Sequence, residues 1–242
     1  MNWLGRFKDS NIGLKVAMAL SGVVLLGFVF VHMLGNLQIF IDIGEFEKIA
    51  AGDTALDHYG AMLHGNMELL WGARITLLAA VLIHIVTAVK LTMRNRAARP
   101  VAYKVKKSVQ ESYAARTMRV GGFIILAFII FHIMHLTMGR VDSLPLQECV
   151  VDGSDLTCFV YQNVVSGFQS MGVVVFYIVA QLALALHLSH GVASLFRTLG
   201  MNNPRFEPIA SKLAIGFAAI VAVGNCAIPL AVATNILTLG AI

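Results

Sequence analysis

The chain is short of charge. Only 13% of its 242 residues are Asp, Glu, Lys or Arg, against 58% that are hydrophobic. A soluble domain needs far more polar surface, so the composition excludes a soluble enzyme and predicts a polytopic membrane protein. Cysteine is scarce as well, and three residues cannot build a disulfide scaffold. Cys149 and Cys158 share one loop and could form a single bridge; Cys226 lies in an apolar run as a small packing residue. The first apolar run begins near Lys15, is of full span length and lacks a small-residue cleavage site, so no cleavable signal peptide is expected. The apolar runs also lack carboxylates in their cores. That argues against a transporter or channel, which would need an acidic relay.

What is present is five apolar stretches, about residues 15–41, 70–93, 118–139, 167–199 and 212–237. Each exceeds the roughly 20 residues that cross a bilayer as a helix. They are numbered I to V here, and the expected architecture is an all-α membrane protein of five transmembrane helices. Residues 1–242 then form a single membrane domain with no room for a soluble catalytic one. Ahead of span I, Trp3, Arg6 and Lys8 read as an interfacial lead-in. The I–II loop, 42–69, reads as short amphipathic helices at the surface. The II–III loop is strongly basic and is interrupted by Pro100.

The charges are sorted by side. The N-terminal, II–III and IV–V sides hold 15 of the 18 Lys and Arg. The opposite side holds only Lys48, Arg74 and Arg140, together with 10 of the 13 acidic residues. This pattern puts the N-terminus in the cytoplasm and the C-terminus outside. The net charge of +5 is therefore a topology signal, not a nucleic-acid one. The cysteine pair falls on the oxidising side, where a disulfide persists.

Six of the eight histidines lie within spans. An ionisable side chain at that depth marks a site by default. Gly22-Val-Val-Leu-Leu-Gly-Phe-Val-Phe-Val-His32 in span I echoes Gly122-Phe-Ile-Ile-Leu-Ala-Phe-Ile-Ile-Phe-His132 in span III. Ile83-His84-Ile85 in span II sits against Leu186-His187-Leu188 in span IV. With alternating spans, His32 and His132 fall in the outer half, and His84 and His187 in the inner half. One pair of imidazoles per leaflet, each partner on its own helix, is what two bis-histidine haems b require. The first four spans would then form a haem-binding bundle, with Gly22, Gly27, Gly121, Gly122, Ala127 and Gly191 giving the macrocycles room. A lone span histidine is more often a helix–helix hydrogen bond, which explains four paired ones poorly. His135 and His190, each three residues from a better candidate, read instead as bundle hydrogen bonds or as contacts to a ligand, a propionate or a quinone, and His58 and His64 as surface residues. Zinc would need a tetrahedral set, which one ligand per helix at two depths does not supply.

Five spans, one candidate ligand in each of the first four, and the segment His187-Leu-Ser-His-Gly191 resemble the succinate dehydrogenase / fumarate reductase cytochrome b subunit. More narrowly they resemble its single-subunit, two-haem (cytochrome b558) type, from Lys15 to about Leu237. The resemblance implies His84 and His187 as ligands of a proximal haem b, and His32 and His132 as ligands of a distal one. It implies a flavoprotein with FAD and an iron–sulfur subunit on the cytoplasmic face of a bacterial inner membrane. It also implies electron transfer to or from a quinone, usually menaquinone. Succinate chemistry would reside on the partners. His64, Glu68 and Arg74 near the outer end are quinone candidates, and Lys90, Arg119 and Arg197 at the inner rim are propionate candidates by depth. Some fumarate-reducing members carry a Glu two residues before the span IV ligand; here Ala185 stands there, which favours succinate oxidation. The alternatives are an anchor cytochrome of a hydrogenase or formate dehydrogenase, whose histidines are placed differently, and a transporter. The cytochrome b of the quinol–cytochrome c complex uses His pairs fourteen apart, and no two histidines here have that spacing.

Overall fold

The computed structural model describes residues 7, 9–42, 49–98, 113–141, 146–153, 155–201 and 203–239. The expected roles of Trp3, Arg6 and Lys8, of Glu45, Glu47, Lys48 and Asp142, and of the basic loop from Arg99 to Glu111 lie outside the described residues.

The fold is an all-α membrane architecture. Five helices are long and apolar enough to cross a bilayer: α1 (Asn11–Asn36), α3 (Met67–Ala97), α4 (Tyr113–His132), α6 (Met171–Thr198) and α7 (Glu207–Ala233). These are spans I to V. Two short helices join them, α2 (Ala55–His64) and α5 (Val160–Gly167). Span I continues into a 3₁₀ turn, Leu37–Phe40, and span III into a π-helical turn, Ile133–Thr137. Large apolar side chains such as Val31, Leu78, Phe123, Val179 and Val223 are exposed along the spans, as a lipid-facing surface requires.

Span IV begins later than its apolar run suggests. The run from Gly167 is broken at Phe168–Ser170, and α5 and α6 are separate helices. Ser10 caps span I, its Oγ accepting from the Gly13 N–H at 2.9 Å. Pro229 sits buried inside α7, where it leaves one backbone carbonyl of its own helix without the usual N–H donor.

The loops of one end fold into a cap. A two-stranded antiparallel hairpin, β1 (Val150–Asp152) and β2 (Asp155–Thr157), pairs Val150 with Thr157. The same register brings Cys149 opposite Cys158, and the two form a disulfide. Gly153 at the turn has φ +62°, the left-handed conformation that favours glycine. The expected amphipathic surface helix exists as α2, yet it is packed rather than merely lying at the surface. Leu56 and Asp57 are each only 1% exposed. Asp57 accepts from the Thr54 hydroxyl at 2.7 Å, the Thr54 N–H at 3.3 Å and the Tyr161 N–H at 2.9 Å. Asp42 accepts from the Ala55 N–H at 2.7 Å. Two residues of the acidic loop are therefore structural acceptors, beyond their contribution to charge sorting. Tyr161 in turn donates from its hydroxyl to the Thr238 carbonyl at 2.8 Å, tying the cap to the segment after span V. Burial pushes this phenol up to about 12.

The apolar core lies mostly under the cap, where Ile39, Leu56, Tyr161, Val165, Phe168 and Tyr177 pack together. The span pairs packed most extensively are I with II, III with IV and IV with V, and span I also touches IV and V. Neither I with III nor II with IV is among the packed pairs.

Candidate haem site

Both histidine pairs are carried by helices that are not among the closely packed pairs. His32 of α1 and His132 of α4 face each other with ring centroids 5.8 Å apart and planes at 86°. His84 of α3 and His187 of α6 do the same at 6.2 Å and 59°. The first pair lies toward the hairpin end of the bundle, the second toward the opposite, far end. Two nitrogens on opposite sides of one metal ion stand about 4 Å apart at bond lengths of about 2 Å, with ring centroids roughly 1 Å behind each nitrogen. Both separations match that spacing.

Hydrogen bonds fix which nitrogen is bare on two of the rings. The Ser21 hydroxyl donates to the Ala17 carbonyl at 2.9 Å and the Met18 carbonyl at 3.0 Å. With its one hydrogen so engaged, its oxygen accepts from His84 Nδ1–H at 3.3 Å, which leaves His84 Nε2 as a lone pair. His132 Nδ1 lies 3.1 Å from the Tyr177 hydroxyl, likewise on the Nδ1 side. His187 Nδ1 is buried and without a hydrogen-bond partner among the described residues. Gln162 Oε1 and Gln181 Oε1 are in the same position, and each such atom costs about 1–3 kcal/mol. His32 differs: Asn36 Nδ2 lies 3.1 Å from its Nε2, one turn along the same helix. A metal at that nitrogen would displace this local contact.

Space is available beside the rings. A Cβ built on Gly22 would meet only His84, at 3.5 Å, and at Gly27, Gly122 and Gly191 it would meet nothing within 4 Å. A cavity of about 150 Å³ opens beside His187, lined also by Thr117, Gly121 and Ala183. The donor set and ring spacing at each pair are those that a bis-histidine haem would use.

The remaining candidates fare unevenly. His135 is 2% exposed and bonded to Tyr177 and to the Gly167 carbonyl, so it joins the bundle as a hydrogen-bonding residue. His64 lies against the Cys149–Cys158 bridge and donates from Nδ1 to the Gly60 carbonyl at 2.9 Å. Those two sulfurs are bonded to each other, so the trio is no metal site. Arg74 lies over the Trp71 ring at 5.1 Å. Glu68 lines an open groove of about 400 Å³ between spans I and II, with Val24, Phe28 and Thr76. Among the described residues no hydrogen bond or ion pair joins His64, Glu68 and Arg74. At the far rim Arg197 pairs with Glu207 at 2.7 Å, while Lys90 and Arg119 are exposed. Sequence reasoning missed Tyr177, the one hydroxyl that meets two span histidines. Its signal was a lone tyrosine in an otherwise apolar run, ten residues before His187.

Compared with known families, curated proteins and solved structures, the chain finds no match.

Proposed function

We propose that this chain is a dihaem cytochrome b membrane anchor of a succinate:quinone oxidoreductase. It would pass electrons between an iron–sulfur subunit and membrane quinone, menaquinone in this type. The observation that carries the reading is that two histidine pairs stand at ligand spacing, one toward each end of the bundle, each reaching across two helices that are not closely packed. His84 and His187 would hold the haem at the far end, and His32 and His132 the haem at the hairpin end. A bound haem b supplies one-electron exchange.

The chain's own residues account for the rest. Ser21 and Tyr177 orient two of the imidazoles through Nδ1, the arrangement that directs Nε2 at a metal. The apolar spans keep water from both sites. Glu68, at the lip of the groove beside span I, is a carboxylate able to take or give a proton to a quinone oxygen. The charge sorting supports a cytoplasmic far end. A flavoprotein with FAD and an iron–sulfur subunit would dock there.

The test is purification of the complex from its native membrane, with haem b measured per copy of this chain and covalent flavin sought in the co-purifying subunits. Two non-covalent haems and a flavinylated partner are expected. Haem without flavin would reassign the chain to another quinone-linked enzyme, such as a hydrogenase or formate dehydrogenase. Absence of haem would overturn the redox reading.

A further inference from the structure

A chain of three hydrogen bonds ends on His132, and its direction can be followed proton by proton. The Gly167 carbonyl can only accept, so at 3.1 Å His135 donates to it from Nε2. A neutral imidazole accepts at its other nitrogen, so the Tyr177 hydroxyl, 2.9 Å from His135 Nδ1, donates there. A hydroxyl has one hydrogen. With it committed to His135, the Tyr177 oxygen can only accept from His132, whose Nδ1 lies 3.1 Å away. His132 therefore carries its hydrogen on Nδ1 and presents a bare Nε2.

The geometry is built to keep this order. His135 sits in the π-helical turn that directly follows His132, which brings both rings to one hydroxyl. A Cβ at position 167 would lie 2.8 Å from His135 Nε2, so only glycine lets the carbonyl and the ring approach so closely. That glycine ends α5, immediately before the break ahead of span IV. The three bonds thus join the hairpin-end cap to spans III and IV.

We propose that His135 and Tyr177 are positioning residues for His132. Together they fix its tautomer and ring orientation, and they strengthen the donation of Nε2 to the iron. This rests on the haem reading above. An imidazole whose N–H has a firm acceptor is the more basic ligand and favours ferric iron. Loss of the acceptor therefore raises the midpoint potential of that haem. His84 contacts Ser21 at 3.3 Å and the Met18 backbone, and among the described residues no hydrogen bond links the His84–His187 site to this chain of bonds.

The test is an equilibrium redox titration of the purified complex, with the two haems resolved as two components. His132→Ala identifies the component that belongs to this site by removing it. Tyr177→Phe should raise the midpoint of that component alone, or release that haem while the other is unchanged. His135→Leu, which takes away the acceptor for the Tyr177 hydroxyl, should shift the same component in the same direction by less. His135→Gln keeps one donor and one acceptor at similar separation and should restore the wild-type value. A wild-type complex with two haems whose potentials do not respond to Tyr177→Phe or His135→Leu would overturn the positioning role and leave the haem reading intact. Equal movement of both components would mean general loosening and would overturn it too. A wild-type chain without haem would overturn both.

Discussion

The two ends of the bundle are built differently. At the hairpin end His132 is tied through Tyr177 and His135 to Gly167, and beyond them lie the disulfide, the Asp57 acceptor cluster and most of the buried core. At the far end His84 contacts Ser21 at 3.3 Å and the Met18 backbone, and His187 Nδ1 has no partner among the described residues. The same residue type is thus held by an extensive network at one end and by few contacts at the other. On the proposed reading, the site near the cap is set by the protein's own bonds, whereas the far site would depend more on the group it holds.

Asp57→Ala should show the largest effect. It strips the acceptor from three donors under the cap, at a cost of about 3 kcal/mol, and Asp57→Asn should cost less. Thermal unfolding in detergent, followed at both histidine sites, should show the hairpin-end site lost first. Simultaneous loss at both ends would break the distinction between them. Next comes removal of the bridge by Cys149→Ser with Cys158→Ser. A closed loop with separation 9 is worth about 2.5 kcal/mol, so the same order of loss is expected with a smaller drop in midpoint temperature. Two free thiols by mass analysis in protein never exposed to reductant would instead remove the bridge from the account.

Gly167→Ala should cost about 1–3 kcal/mol, because the added methyl collides with the His135 ring. Its spectroscopic effect should be confined to the hairpin-end site. Ser21→Ala should be smallest, about 0.5 kcal/mol, since it deletes a single contact at 3.3 Å. It should perturb only the far-end site; a change at the hairpin end would show that the two sites communicate.

The spans and the four paired histidines were legible in the sequence because a helix in lipid must satisfy its backbone internally, which forces long apolar runs. Depth along those runs then placed the rings in pairs. The ends of the runs were less legible. The start of span IV, expected at about residue 167, falls at Met171, and the break at Phe168–Ser170 contains no proline to mark it. The hairpin did leave a signal, Asp152-Gly153 between two cysteines nine positions apart. Asp57 was hidden among acidic neighbours, and charge alone cannot tell a buried acceptor from a solvated one. His135 shares a helix with the better candidate His132, and only its contacts at Gly167 and Tyr177 separate their roles.

The most direct test of the central claim is haem content per chain in four single variants, His32→Ala, His132→Ala, His84→Ala and His187→Ala, against His135→Ala. The account predicts two haems b in the wild type. His32→Ala and His132→Ala should each lose the same one, and His84→Ala and His187→Ala should each lose the other. His135→Ala should retain two. Loss of a haem from His135→Ala but not from His132→Ala would contradict the ligand assignment, and a wild type without haem would contradict the account as a whole.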